Sequence, residues 1–105
     1  MLNLTPHPIN IILPSGEEIV FPPSGVVSRC SVIYTVTGDV DGIPSVTAVF
    51  GEADNLPEEG TPCIVSALVA AAVKGRKGVY SPDGGSTAER SANGQIRAVR
   101  RLIAA

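Results

Sequence analysis

The sequence predicts an α+β domain, built mainly from antiparallel β-hairpins, with one short buried helix near residues 66–75. Two observations support this fold class. Segments rich in β-branched side chains recur at hairpin spacing between turn residues, whereas only one segment has helix-forming composition between two capping residues. With 105 residues, the chain has the length of a single domain, residues 1–105, whose core needs neither disulfides nor a metal.

An N-terminal hairpin is predicted first. Residues 9–13 and 18–21 have the composition of strands, and the Pro-Ser-Gly-Glu sequence at 14–17 is the turn between them. The prolines at 22 and 23 lack backbone donors, so they end this ladder and turn the chain.

A second hairpin is predicted from residues 26–37 and 43–50, joined by a solvated link at 38–42. The first of these strands alternates between two sets of side chains. The set expected to face the core, with Cys30 inside, comprises Ser28, Cys30, Val32, Tyr34 and Val36. The acidic segment that follows, 51–61, is expected to be a surface loop.

The buried helix is predicted after a short buried strand at 62–65. Residues 67–74 form this helix, with Ser66 as N-cap and Gly75 as C-cap. Its side chains are apolar almost all the way round, whereas a surface helix presents a polar face to water. We therefore expect the helix to lie between the sheet and a second copy of the chain, which predicts a homo-oligomer.

Cysteine usage argues against a metal site. Cys30 and Cys63 are 33 residues apart, and neither has a second cysteine or a histidine at zinc-ligand spacing. We expect a cytoplasmic protein with reduced, mostly buried thiols and no cofactor; a disulfide between the two cysteines is the alternative. No apolar run is long enough to span a membrane, and the N-terminal segment is too interrupted for a signal peptide.

Charge is segregated along the chain. Residues 1–60 contain eight acidic side chains and one basic side chain, whereas residues 61–105 contain seven basic and two acidic ones. The net charge of −2 hides this division. A local basic patch is therefore expected in the second part, although a pI near 5.2 opposes long-range attraction to nucleic acid.

The sharpest feature of the basic part is a hairpin closed by Asn93 and Gly94. As the central residues of a two-residue type I′ turn, they would place Arg90 directly opposite Arg97. Arg101 falls on the same face of this ribbon. The opposite face carries the core residues Ile96, Ala98 and Leu102.

Three arginines on one face predict an anion site, because a guanidinium binds phosphate or carboxylate through two parallel hydrogen bonds. The predicted ligand-binding residues are Arg90, Arg97 and Arg101 for phosphate, Thr87 and Ser86 with the loop backbone as a cradle, Tyr80 for stacking, and His7 on a proline-stiffened segment. Two alternatives stay open: a solvated arginine face paired with the acidic loop, and a helix over residues 95–105.

Several short segments are spread over most of the chain: LNLTPHP at 2–8, PPSG at 22–25, IVS and LVA at 64–66 and 68–70, PD and TA at 82–83 and 87–88, and GQI and RR at 94–96 and 100–101. Together they resemble a group of small phage and prophage proteins without an assigned activity. The resemblance implies a phage setting, within a host cell, and brings no catalytic residues. In size and charge layout the chain is also similar to the anti-defence proteins that sequester nucleotide immune signals, which is an analogy of layout alone.

These observations predict a small phage-type binding protein that sequesters a phosphorylated small molecule, a nucleotide immune signal, in a basic pocket at an oligomer interface. The alternative is a phage structural or assembly protein with no small-molecule ligand. Nucleic-acid binding ranks below both. An enzyme ranks last, because the sequence contains no recognisable activated nucleophile or metal triad.

Overall fold

The computed structural model describes residues 1–105 and contains ten strands and one helix. In chain order they are β1 (Leu2–Asn3), β2 (Ile9–Ile12), β3 (Glu18–Phe21), β4 (Cys30–Val40), β5 (Ile43–Ala53), β6 (Cys63–Ile64), α1 (Ala67–Ala72), β7 (Val79–Pro82), β8 (Glu89–Arg90), β9 (Ile96–Ala98) and β10 (Leu102–Ala104). The α+β class with hairpins and one short helix is confirmed. With six residues, the helix falls far short of the length and hydropathy that a membrane span needs.

A four-stranded sheet in the order β1, β6, β7, β10 lies at the centre of the molecule. Strands β1, β6 and β7 are parallel, and only β10 runs antiparallel to its neighbour. The prediction of antiparallel pairing is therefore wrong for this sheet, although the three two-stranded sheets are antiparallel. Parallel pairing is available because long connections, including the helix between β6 and β7, carry the chain back to the same end of the sheet.

The hydrophobic core is small and lies where the helix packs on this sheet. Its buried side chains are Leu4, Cys63, Val65, Val69, Ala70 and Val79. Both residues of β6 are fully buried, as expected for an apolar strand between two parallel neighbours. Only 15 of the 105 residues are buried, so this core covers a minor part of the apolar side chains.

Helix α1 begins as predicted at Ser66, whose hydroxyl accepts a hydrogen bond from the Val69 backbone N–H at 3.3 Å. It ends at Ala72, before the predicted cap Gly75. Two of its six residues are buried, whereas Leu68 is 45% exposed. The helix is therefore buried on one side only, and its outer side presents apolar groups to solvent.

The predicted N-terminal hairpin is confirmed, with Ile11 of β2 opposite Ile19 of β3. Backbone hydrogen bonds attach it to the C-terminal part of the chain. The Ile12 N–H donates to the Val99 carbonyl, and the Val99 N–H donates to the Asn10 carbonyl, both at 2.9 Å. Ile11 and Val99 are both buried at this junction.

The segment before this hairpin is fixed by the side chain of Asn3, which is 1% exposed. Its amide nitrogen donates to the carbonyls of His7 at 2.7 Å and Phe21 at 2.9 Å. Its amide oxygen accepts from the backbone N–H and the hydroxyl of Thr5, at 3.0 and 2.7 Å. Both donors and both acceptor positions of the amide are used, so one buried side chain fixes the turn at residues 5–7 and attaches it to the end of β3.

Strands β4 and β5 form a hairpin of eleven residues per strand, which we call the arm. Val40 pairs with Ile43, and Asp41 and Gly42 between them have φ angles of 51° and 81°. Positive φ at both central residues is the mark of a type I′ turn, for which Asp-Gly is a preferred sequence. The link predicted at residues 38–42 is therefore too long, because both strands continue to the turn.

The predicted core face of this hairpin is confirmed at its base, where Ser28 is buried, and wrong for its outer part. Cys30 and Val32 are half-buried, but Tyr34 and Val36 are 64% and 68% exposed. The alternation exists as predicted, yet the arm extends past the sheet and the helix. No other part of the chain reaches the outer half of the arm to cover it.

The molecule is correspondingly extended. Its radius of gyration is 15.9 Å, against about 13 Å for a compact domain of this length. Its accessible surface is 6754 Å², about 1,200 Å² more than the roughly 5,500 Å² expected for a compact monomer of 10.8 kDa.

Replacing Asn3 with alanine should lower the free energy of unfolding by about 3 kcal/mol, because it removes the four hydrogen bonds of a buried side chain and leaves the N–H of buried Thr5 without a partner. Urea unfolding is the measurement. The control is Asn10→Ala, which removes a single exposed hydrogen bond to the Arg97 carbonyl and should cost less than about 1 kcal/mol. Equal losses for the two variants would contradict the role given to Asn3.

Candidate functional site

The arginine ribbon predicted near the C-terminus exists, but its register differs from the prediction. The segment is extended, in β9 and β10, so the alternative helix over residues 95–105 is excluded. Arg90 lies opposite Ile96, and Glu89 lies opposite Ala98. Arg97 falls at the register shift between these two pairs, so no residue of β8 lies directly opposite it. Arg90 and Arg97 are therefore not a cross-strand pair.

The difference arises in the turn. The Ser91 N–H donates to the Gln95 carbonyl at 2.8 Å, and the Gly94 N–H donates to the Ser91 carbonyl at 2.9 Å. Gly94 has a φ of 84°, while Asn93 does not have a positive φ. This is a three-residue loop ending in a left-handed glycine, not a two-residue type I′ turn. The extra loop residue shifts the pairing by one position and separates the two arginines.

Arg97 is paired with two carboxylates of its own chain. Its guanidinium lies 2.5 Å from Glu18 on β3 and 3.0 Å from Glu89 on β8, and Arg100 lies 3.3 Å from the same Glu89. The hydrogen bond from Arg97 holds the pKa of Glu18 below its usual value, and the two acids raise the pKa of Arg97. Because all these groups are exposed, the pairs contribute only modestly to stability. The acidic segment 51–61, the predicted alternative partner, contributes none of these carboxylates.

The predicted anion cradle also exists, but the anion in it is a side chain of the chain itself. The Asp83 carboxylate accepts from the Gly85 backbone N–H at 2.9 Å and from the Thr87 hydroxyl at 3.5 Å. Arg101 donates to the same carboxylate through Nε. The bond from Arg101, with the one from Gly85, holds the pKa of Asp83 below its usual value. Asp83, 7% exposed, stands where a ligand phosphate was predicted.

The other predicted ligand residues do not converge on this cradle. Arg90 donates to the carbonyls of Gly94 at 2.8 Å and Gly84 at 3.1 Å, and Ser86 is exposed in the same loop. Tyr80 lies on β7 and lines a separate groove beside the C-terminus. Arg97 and Arg100 share Glu89, but the three arginines predicted to bind one phosphate, Arg90, Arg97 and Arg101, have no partner in common.

His7 lines a cleft of about 500 Å³ between the N-terminal segment, the start of β4 and helix α1. Arg29 lines the same cleft, and its guanidinium has no ion pair within the chain. No acidic side chain lines the cleft. Sequence analysis identified His7 but missed Arg29, although Arg29 is the only basic residue before position 61.

Neither cysteine is arranged as a nucleophile. Cys63 is 0% exposed, and this burial raises the pKa of its thiol, so the thiol stays protonated at neutral pH. Cys30 is half-buried, and its sulfur lies 3.9 Å from the Leu68 carbonyl. Both thiols are free, and no three His, Cys, Asp or Glu side chains are grouped to hold a metal ion.

The most extensive exposed apolar surface is on the arm. On the face that continues the helix, the side chains are Val32, Tyr34, Val36, Val46, Ala48 and Phe50, which we call the arm surface. At its base, Phe50 lines a cleft with Val73, and Cys30 lines the His7 cleft with Leu68. The arm surface therefore continues into the exposed side of helix α1.

This surface was not predicted, because its β4 side chains Val32, Tyr34 and Val36 were assigned to the core and no face was assigned to the second strand. The available signal was the absence of charge: residues 31–38 and 43–51 contain no Asp, Glu, Lys or Arg. A solvated hairpin carries charges on at least one face, whereas this one carries them only at its two ends.

Compared with protein-family models, curated proteins and solved structures, the chain gives no significant match. The resemblance to phage proteins therefore stays a prediction from the sequence.

Replacing Asp83 with asparagine should make stability less dependent on pH in the acid range. A lowered folded-state pKa means that the contribution of Asp83 is complete above the unfolded value of about 3.9 and is lost as pH falls through the lower folded value. Denaturation midpoints of the parent and Asp83→Asn should therefore converge between about pH 5 and pH 2. The control is Asp39→Asn in the arm, where no ion pair is lost. A constant gap between parent and Asp83→Asn would contradict the lowered pKa.

Proposed function

We propose that this chain is a structural or assembly subunit of phage type, acting in the host cell, whose arm joins it to other subunits of a homo-oligomer. The function is association, and no reaction or cofactor is assigned to it. The observation that carries the proposal is the arm surface, which is apolar, uncharged and uncovered by the chain itself.

The instability of an isolated ribbon supports this proposal. Two strands without a third strand or a packed face are at best marginally stable in water. The arm packs on the helix only at its base, and both of its outer edges have unpaired backbone groups. A partner that covers the arm surface would supply the missing packing, because its side chains would pack against the arm as core side chains pack within a single chain.

The excess surface has the magnitude of an interface. A standard protein interface buries about 800 Å² on each partner. The surplus of about 1,200 Å² over a compact monomer of the same mass is sufficient for one such interface. The arm alone contributes many of the exposed large hydrophobic side chains, among them Ile33, Tyr34, Val36, Val40, Ile43, Val46, Val49 and Phe50.

Sedimentation of the purified chain should give a mass above 10.8 kDa at micromolar concentration. The variant Val36→Lys should lower the association constant by about tenfold or more, because it places an ammonium group in the middle of a desolvated surface. Val36 is exposed within one chain, so the fold of the subunit should be unaffected.

The matched control is Val20→Lys on β3, an exposed strand valine outside the arm, which should associate like the parent. A monomeric parent would overturn the proposal. So would equal association constants for Val36→Lys and Val20→Lys, because the interface would then lie elsewhere.

Capture of a phosphorylated small molecule is the second candidate function. The observation in its favour is the convergence of three donors, from Gly85, Thr87 and Arg101, on one carboxylate. Such an arrangement suits a phosphate as well as a carboxylate. The Asp83 carboxylate blocks this site, because a ligand would have to displace it from the three donors.

The variant Asp83→Ala tests this candidate, because it removes the internal anion and leaves the donors. If the cradle takes a ligand, calorimetric titration with cyclic nucleotides and ADP-ribose derivatives should show an affinity about ten- to a hundredfold above that of the parent. The double variant Asp83→Ala with Arg101→Ala should lose this gain. If neither the parent nor Asp83→Ala binds any of these compounds, the small-molecule function is contradicted.

A further inference from the structure

The cleft between the N-terminal segment, the start of β4 and helix α1 contains two polar side chains that the chain itself does not use. Its three hydroxyl groups, on Thr5, Ser28 and Ser66, all form hydrogen bonds with other groups of the chain. The guanidinium of Arg29 and the imidazole of His7, by contrast, form no hydrogen bond or salt bridge within it. Arg29 carries a permanent positive charge, so the free polar groups of this cleft suit an anion.

The acids at the base of the arm lie outside the cleft, which no acidic side chain lines. Asp54 is beside Arg29, but its Oδ1 accepts from the Arg29 backbone N–H at 2.8 Å, and it forms no salt bridge with the guanidinium. Glu52 lines a separate cleft with Val73. One guanidinium with Asp54 nearby can balance a single negative charge, which favours a monoanion such as a carboxylate over a phosphate monoester.

The walls of the cleft are aliphatic. Leu4, Val65 and Val69 belong to the hydrophobic core and form a fixed wall, which half-buried Val27 and exposed Leu68 complete. The volume of about 500 Å³ lies within the range of small-molecule sites, which are mostly apolar with a few polar groups that orient the ligand. The ligand that matches these walls and the two free donors has an aliphatic chain that ends in a carboxylate.

We propose that the cleft binds an aliphatic monocarboxylate of the medium-chain fatty-acid class, a ligand that goes beyond the proposed assembly function. The carboxylate lies on the Arg29 guanidinium, which donates two parallel hydrogen bonds, and the His7 imidazole supplies a further donor. The alkyl chain lies along the core side chains. Asn3 holds the backbone that presents His7, because its amide donates to the His7 carbonyl at 2.7 Å. This site shares no donor with the cradle that Asp83 occupies.

Calorimetric titration with octanoate tests the proposal, and octanol, which has the same alkyl chain and no charge, is the matched ligand. The parent should bind octanoate at least about tenfold more tightly than octanol, because only the acid pairs with Arg29. In a series from butanoate to octanoate, each added CH₂ group should raise the affinity about fourfold, since each buries further apolar surface.

The variant Arg29→Gln should reduce the affinity for octanoate by about tenfold or more and leave that for octanol within about twofold of the parent. The fold should persist, because the Arg29 guanidinium has no partner within the chain. The control is Arg100→Gln, the same substitution outside the cleft. It removes an exposed ion pair with Glu89 and should bind octanoate like the parent.

Cys30 provides a second readout, because this free, half-buried thiol lines the cleft, whereas Cys63 is 0% exposed and does not react. At an octanoate concentration of about ten times the dissociation constant, alkylation of Cys30 by iodoacetamide should slow about tenfold, since only the empty cleft reacts. In Arg29→Gln the same concentration should slow the alkylation by about twofold or less.

Absence of octanoate binding, or equal rates of Cys30 alkylation with and without octanoate, would overturn the proposal. Equal affinities for octanoate and octanol, or equal octanoate affinities of the parent and Arg29→Gln, would show simple apolar adsorption and overturn the carboxylate site. Tighter binding of octyl phosphate than of octanoate would overturn the preference for a monoanion. Sedimentation of Arg29→Gln should match that of the parent, so assembly through the arm stands or fails independently of this ligand.

Discussion

The burial of apolar surface is the constraint on which this structure depends. A core of six buried side chains, including Cys63 of β6, holds the central sheet and one side of helix α1. Eight of the fifteen large apolar residues that remain exposed lie in the arm, where no further element of the chain covers them. A larger domain would fold a third layer over such a hairpin. No element within residues 1–105 forms such a layer, and a second polypeptide is the source that we propose for it.

Three of the four arginines between positions 90 and 101, by contrast, form ion pairs within the chain. Arg97 and Arg100 pair with acids on β3 and β8, and Arg101 pairs with Asp83. These contacts attach the β8–β9 ribbon to the N-terminal hairpin and close the loop after β7. The acidic first half and the basic second half of the sequence thus partly neutralise each other within one molecule. Glu18 of the first half, for example, pairs with Arg97 of the second.

Turn length decides which side chains meet in the hairpins. The Asp41-Gly42 turn has positive φ at both residues and gives the arm a two-residue connection. Asn93-Gly94 has similar turn chemistry, but only its glycine is left-handed, and the loop gains a residue. Both dipeptides favour a two-residue turn when considered alone. Whether the loop has two or three residues therefore depends on how the flanking strands attach to the rest of the fold. The Val99 hydrogen bonds to β2 fix β9 and thereby its register.

Local sequence determined the types of the elements, because turn residues, caps and β-branched segments affect the conformation of only a few neighbouring residues. The N-terminal hairpin, the Ser66 cap and the strand before this cap were therefore all predictable. Local sequence also supplied the components of the anion cradle at Thr87 and Arg101. Only the tertiary structure decided that Asp83 fills this cradle, that β1, β6 and β7 pair in parallel, and that Tyr34 and Val36 remain exposed. The pairing of Asp83 with Arg101, the parallel sheet and the exposure of the arm all depend on the relative positions of segments far apart in the chain, which neither periodicity nor spacing encodes. Alternation specifies that a strand has an apolar face, but whether the same chain has anything to place against it depends on the whole fold.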